Sequence, residues 1–541
     1  PPPPPPDTHT LELSSAASDV YKRQAPTRYD GGLDYILDLE TRAPATGVLR
    51  GSGSLDLLSA RGALEWGGEN SGLLASTRSL HDGAARLRDG VGSPYGYADG
   101  LVRAGWNGGA TDVALTLFAN RESVALGLPG APLVPEEASW SNQAVSARLQ
   151  RSVGAVDLSL RTAVSRYHAD LPLRGDSADT QPDRPVLANG RIRRLRATLD
   201  GRAPLSGGTL RFGLAADGTA SRYASTLRTT EGTVRADARF DGRVFGAHGE
   251  LERPWGDDVT VRAGLRVDHF DPGGWTSALR GALSWTVGPD AVLTLAAGRY
   301  HQFTRAGTVT PEDVLLGAVS DATPTALEVA TGDHLLVGLA QSFSPRVQWG
   351  LQGWVKRFQN VAGGIPAQTA SGVDVRVQAG SDRRTGWLGY ALDWTWESVA
   401  SSDEAPRFQG RHVLSAGLRG PIAGPVGLDA RIAFSDGLPL TEVALDAALG
   451  LETADQPLED GVARGGRIQG DADGFLRLDV ELYGEWAAPI GEGTLRPYLR
   501  VLNALDRRDA LFYYFEPWRN PDLTPLARHT FWPVLGVSWS F

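Results

Sequence analysis

Arginine and aspartate stand two residues apart at Arg266 and Asp268 and again at Arg477 and Asp479. A carboxylate beside a second ionisable group is one ingredient of acid–base catalysis, but a catalytic arrangement also needs a nucleophile or a positioned proton carrier. None is legible. The nine histidines form no HxH or HExxH pair, and neither a GxSxG elbow nor a phosphate-cradling GxxxxGK occurs. Cysteine is absent, which removes disulfides and thiolate metal sites. The Arg/Asp pairs therefore read as a structural charge network lining a wet surface, and the chain is expected to be no enzyme and to hold no cofactor or metal. Two acidic stretches, "ETADQPLEDG" (452–461) and "DADG" (471–474), carry enough oxygen ligands for calcium, but solvated loop charge accounts for them as well. The "RGD" at 174–176 is too short a match to carry meaning. In "FYYFEPW", Phe512, Tyr513, Tyr514, Phe515 and Trp518 are candidate ligand contacts, since rigid aromatics stack on sugars, heterocycles or catechols. An aromatic girdle at a bilayer interface explains that cluster equally well.

The elements that position these residues are strands. In "FLRLDVELYGEW" (475–486), Leu476, Leu478, Val480, Leu482 and Trp486 share one face, while Arg477, Asp479, Glu481, Tyr483 and Glu485 share the other. A helix would scatter those charges around its axis. The same split recurs in "VTVRAGLRVDHF" (259–270) and "LGYALDWTWE" (388–397). One face is apolar and the other carries paired charges of both signs. Many such segments run ten to fifteen residues, longer than the usual five or six of globular strands and enough for a tilted crossing of a roughly 25 Å apolar layer.

The bulk numbers agree with that reading. No run of about 18 apolar residues exists, so no transmembrane helix is encoded, whereas barrel strands need only about ten alternating residues. A formal charge of −10 argues against a nucleic-acid partner. Short connections such as "GPD" (288–290), "PIAGP" (421–425) and "PIGEG" (489–493) alternate with long polar excursions near 168–188, 304–328, 436–472 and 506–528. Short turns on one rim and long loops on the other is the outer-membrane arrangement. Twenty-one strands can be placed, and an even number is required if both termini lie on one side, so the sequence predicts an all-β, antiparallel barrel of about 22 strands. A passive porin-like channel shares these features and stays open as an alternative.

Several phrases resemble the TonB-dependent receptors of Gram-negative outer membranes, over about residues 27 to 541. "RYDGGLDYILDLETR" is similar to the end of that family's plug domain, with Tyr29, Gly31, Gly32, Thr41 and Arg42 at the matching places; "GSGSLDLLSARGALEWGG" resembles the first barrel strand. "GLRVDHF", "AGRYHQF", "GWVKRFQNV", "GRHVLSAGL", "RLDVELY", "LRVLNALDRRDALFYYFEP" and "LGVSWSF" follow in the family's order. The resemblance implies a nutrient receptor in the cell outer membrane importing an iron chelate, vitamin, oligosaccharide or peptide, coupled to the inner-membrane TonB complex. It also implies that Leu535, Val537, Trp539 and Phe541 form the terminal signal read by the barrel-assembly machinery, with outer-membrane lipid against their apolar face. The expected domains are a leader over 1–24, a plug remnant over 25–45 and the barrel over 46–541. The leader is read as non-native or disordered: it opens on a proline run, and "SSAASDVYKRQ" resembles translated sequencing-adapter read-through, with a natural flexible linker as the other reading. With no methionine and most of the plug absent, the sequence is expected to be a fragment truncated at its front.

Overall fold

A computed structural model describes residues 15–22, 25–31, 33, 35–44, 47–81, 95–125, 137–174, 185–229, 232–271, 273–303, 329–361, 365–381, 383–397, 408–436, 474–488, 493–507, 510–516, 520–528 and 531–541. Strands from Leu49–Asp56 through Trp532–Ser540 pair antiparallel with their sequence neighbours and close into one barrel of 22 strands. The strand Phe475–Gly484 breaks at Glu485 and resumes as Trp486–Ala487, and both pieces pair with Thr494–Leu502. Closure is made by Trp532–Ser540 against Leu49–Asp56. The terminal residue extends the seam, because Gly51 and Phe541 exchange backbone hydrogen bonds of 3.1 and 2.9 Å.

One rim carries most of the tight turns, although Asp56 to Ser59 and Asp271 to Gly274 are joined as tightly at the other. Gly109, Gly154, Gly207, Gly256, Gly288 and Gly424 have φ between 55° and 96° in short turns at the first rim, a left-handed conformation that glycine adopts without a Cβ clash. The strands that flank the long connections 304–328, 398–407 and 437–473 end at the opposite rim, and those connections lie outside the described residues.

Alternation sorts the faces. On Val259–Asp271, Leu265 is 48% exposed on the outside and its neighbour Arg266 is 1% exposed in the lumen. Leu279, Leu335, Leu388, Leu418, Leu482 and Leu535 continue the same outer surface. So many large apolar side chains exposed around a closed sheet far exceed the few hundred Å² of apolar patch found on monomeric soluble proteins, and mark a lipid-facing belt. Trp66, Trp106, Trp255, Trp285, Trp486 and Trp539 stand exposed at its short-turn edge, where an indole keeps its ring in lipid and its N–H near water.

Two expectations are corrected. The connection read from the sequence at 168–188 is mostly ladder, since Val156–Arg174 and Pro185–Leu205 extend into it and pair from Arg174 with Pro185 onward. Beyond the lipid layer both faces of a sheet meet water, so the sequence loses its alternation while the backbone pairing continues; Gly232–Trp255 reaches 24 residues by the same route. The excursion at 506–528 holds a separate hairpin, Ala510–Glu516 with Asn520–Arg528.

Candidate functional site

The segment before the first barrel strand lies against the lumen wall, which grips it through its backbone. Arg266 Nη1 donates to the carbonyls of Thr27 and Arg28 at 3.3 and 3.2 Å, while its Nε and Nη2 are held by Asp268 at 2.8 and 2.6 Å. Arg280 donates to the carbonyls of Ala25, Pro26 and Tyr29 at 3.1, 2.6 and 3.1 Å, and its guanidinium lies 4.2 Å from the centre of the Tyr300 ring. On the adjacent strand of the same wall, Glu250 Oε2 accepts from the backbone N–H and hydroxyl of Thr27 at 3.1 and 3.3 Å. Three side chains on three adjacent strands, Glu250, Arg266 and Arg280, thus satisfy a turn of chain that has no ladder of its own.

Charge pairs continue along the segment. Asp30 receives Arg196 at 2.8 and 3.2 Å. Burial alone would raise the Asp30 carboxyl, but Arg196, aided by Arg266 and Arg194, outweighs it and holds the group below the ordinary carboxylate value. Arg148 bonds Glu40, Arg103 Nη1 donates to Thr41 Oγ1 at 2.6 Å, and Arg42 forms a bidentate pair with Glu65, whose side chain is 1% exposed.

Several of the residues singled out from the sequence can be placed. Tyr29 reaches forward through its hydroxyl to Asp38, which also accepts from Arg28 at 3.2 Å; Gly31 turns the chain with φ 72°; Thr41 and Arg42 meet the wall as above. Gly32 lies outside the described residues. Arg266 with Asp268 and Arg477 with Asp479 are bonded pairs, the latter at 2.8 Å. Leu535, Val537, Trp539 and Phe541 face outward, with the last two rings 4.8 Å apart. Phe512, Tyr513, Tyr514 and Phe515 belong to the hairpin strand Ala510–Glu516; their side chains, Trp518 and both acidic stretches lie outside the described residues. Ser15–Lys22, part of the expected leader, pairs antiparallel with Tyr35–Thr41.

Arginines of the wall that grip carbonyl oxygens escaped the sequence reading, because nothing in "RGALSW" around Arg280 distinguishes a backbone-binding arginine from one paired to a carboxylate. A cavity of about 1120 Å³ separates part of the segment from the wall, bordered by Arg103, Arg148, Arg161, Arg194 and, at its far end, Phe270 and Phe303. That volume exceeds the roughly 300–1,000 Å³ of a typical small-molecule pocket.

No protein-family model matches the sequence, and no curated protein matches it. Solved structures do match. The ferric yersiniabactin uptake receptor FyuA from Yersinia pestis superposes with a TM-score of 0.73 at 11% identity, covering 97% of this chain and 85% of that one. The fold is that of the TonB-dependent receptors. The siderophore receptor PirA from Acinetobacter baumannii gives 0.65 at 9% identity over 98% and 85% of the two chains, and the copper transporter OprC gives 0.64 at 13% over 96% and 85%. Among TonB-dependent receptor structures the likeness extends over nearly the whole of this chain, N-terminal segment included.

Proposed function

We propose that the protein is an outer-membrane receptor that imports a nutrient ligand, and that residues 25–44 act as the closing end of a plug whose movement is driven through TonB. The observation carrying this reading is the clamp on Ala25–Tyr29. A 22-stranded barrel is wide enough to enclose a water-filled channel, and here five backbone carbonyl contacts from Arg266 and Arg280 hold chain across that space. The names of the structural neighbours make metals and siderophores the first cargo class to test. The hydrogen bonds of the clamp are exchangeable with water one at a time, so a pulling force along the chain can release it without unfolding the barrel wall.

The experiment is growth of an iron-limited Gram-negative host expressing the protein on defined ferric chelates, with and without a functional TonB. Chelate-dependent growth that disappears without TonB supports the reading. Growth indifferent to TonB, scaling only with the size of the solute, overturns it in favour of the passive channel. The cavity beside the segment favours that second reading to one extent: it leaves room for solute beside the clamped chain. Single-channel conductance separates the two, because a receptor closed by its segment conducts little until Arg266→Met and Arg280→Met loosen it, whereas a porin conducts from the outset.

A further inference from the structure

Beyond the lipid-facing belt, toward the loop rim, the outer surface of four adjacent strands turns from apolar to basic. On Val156–Arg174 and Pro185–Leu205, Val164 is 56% and Leu195 59% exposed and the two are directly opposed. Two residues further along the same outward face, Arg166 stands opposite Arg193. Two further still, Arg191 stands opposite Arg222, which in turn stands opposite Arg239. All five are exposed. Directly opposed side chains on one face of a sheet have Cβ atoms about 4.5–5.5 Å apart, and like charges at that spacing are destabilising.

Little among the described residues relieves them. Asp237 pairs with Arg222 and lies 3.8 Å from Arg239. Arg166, Arg191 and Arg193 have no hydrogen bond or ion pair among the described residues. Elsewhere on the outer surface the sheet avoids this conflict: Arg299, Asp333 and Arg357 are opposed in one row of alternating sign, with Arg299 bonded to Asp333 at 2.7 and 2.9 Å. The five-arginine face therefore calls for an external anion.

Its chemistry follows from what it adjoins. Guanidinium forks bind phosphate oxygens bidentately, and basic residues at a membrane surface are attracted to anionic headgroups. The rows begin one outward step past Val164 and Leu195, where acyl chains give way to headgroups. We propose that Arg166, Arg191, Arg193, Arg222 and Arg239 bind the phosphate groups of an anionic glycolipid of the outer leaflet, whose acyl chains continue over Val164 and Leu195. The inference rests on the lipid-facing belt and is independent of any transported cargo.

The test is native mass spectrometry of the barrel in phosphatidylcholine nanodiscs doped with lipid A. Replacing Arg166, Arg191 and Arg193 together by glutamine should weaken lipid A retention more than about tenfold, and replacing the same three by lysine should weaken it less. Arg299→Gln should leave retention unchanged, and millimolar inorganic phosphate should fail to displace the lipid. The gel shift of the unheated barrel verifies that each variant is closed. Retention unaltered by the glutamine variant, an equal loss from Arg299→Gln, or displacement by inorganic phosphate would each overturn the proposal.

Discussion

Trp275 and Trp285 point outward from opposite ends of one strand, Gly274–Thr286, ten residues apart on the same face. At about 3.3 Å per residue and a tilt near 40°, that separation corresponds to roughly 25 Å along the barrel axis, the height of the apolar band in outer-membrane barrels. The two indoles mark both interfaces on a single strand.

Depth then dictates cost. Leu279, 69% exposed between those indoles, faces the hydrocarbon interior. Leu279→Arg should destabilise the barrel by about 2–4 kcal/mol and Trp275→Arg by about 0–1 kcal/mol. Urea unfolding from lipid vesicles measures both, and equal effects would show that the two side chains sit at one depth.

The Arg42–Glu65 pair anchors the join between the lumen segment and the wall. Arg42→Met removes the bidentate partner of the buried Glu65 carboxylate; because Arg42 is itself 18% exposed, the loss should fall below the about 3–5 kcal/mol of a fully buried pair. Adding Glu65→Met should recover most of it. Protease susceptibility of the chain around residue 42 is the readout, rising in the single variant and falling back in the double.

Asp30 makes the same anchoring pH-dependent. Its carboxyl is depressed in the folded protein, so the contribution is complete above the unfolded value of about 3.8 and declines as pH falls through the lower folded value. Proteolysis of the segment by pepsin should accelerate on acidification below that range in the wild type. In Asp30→Asn the acceleration beyond that of an unstructured control substrate should be absent, and the rate should exceed the wild type above about pH 3.8 and converge with it at the lowest pH.

Gly536 permits a close approach. A Cβ there would lie 2.4 Å from the Tyr498 ring and 2.6 Å from Asp56 Cβ, two residues joined by a 2.8 Å hydrogen bond from the tyrosine hydroxyl. Gly536→Ala should cost about 1–3 kcal/mol by overpacking. Tyr498→Ala should restore room, so the double variant should be less destabilised than the sum of the two; additive losses in urea titrations would show that the ring is not the obstacle.

The barrel was legible because a membrane crossing forces strict alternation: Leu265 beside Arg266 and Leu482 beside Glu481 declare their faces without any tertiary information. Strand number followed from length and connection spacing. Alternation failed at 168–188, where water on both sides removes the pressure to segregate, so Arg174 and Pro185 read as loop although they pair. The lumen clamp was half legible. Arg266 with Asp268 appeared as a pair, but the carbonyls of Thr27 and Arg28 carry no sequence signature, and neither does the register that opposes Arg191 to Arg222.

The ladder between the first and last strands has five residue pairs, Ser52–Asp56 with Gly536–Ser540, extended by Gly51 with Phe541, against twenty between Pro185–Leu205 and Gly208–Thr229. Every other neighbour in the wall is linked by a turn or loop and can zip locally, whereas this junction must bring together positions nearly the whole chain apart before it gains a single contact. Loop-closure entropy and high contact order place it last in the folding sequence. Until it forms, two unpaired edges of an almost finished sheet face one another across an open slot, and the lifetime of that slot sets how long the segment has to find its arginines before the cylinder locks around it.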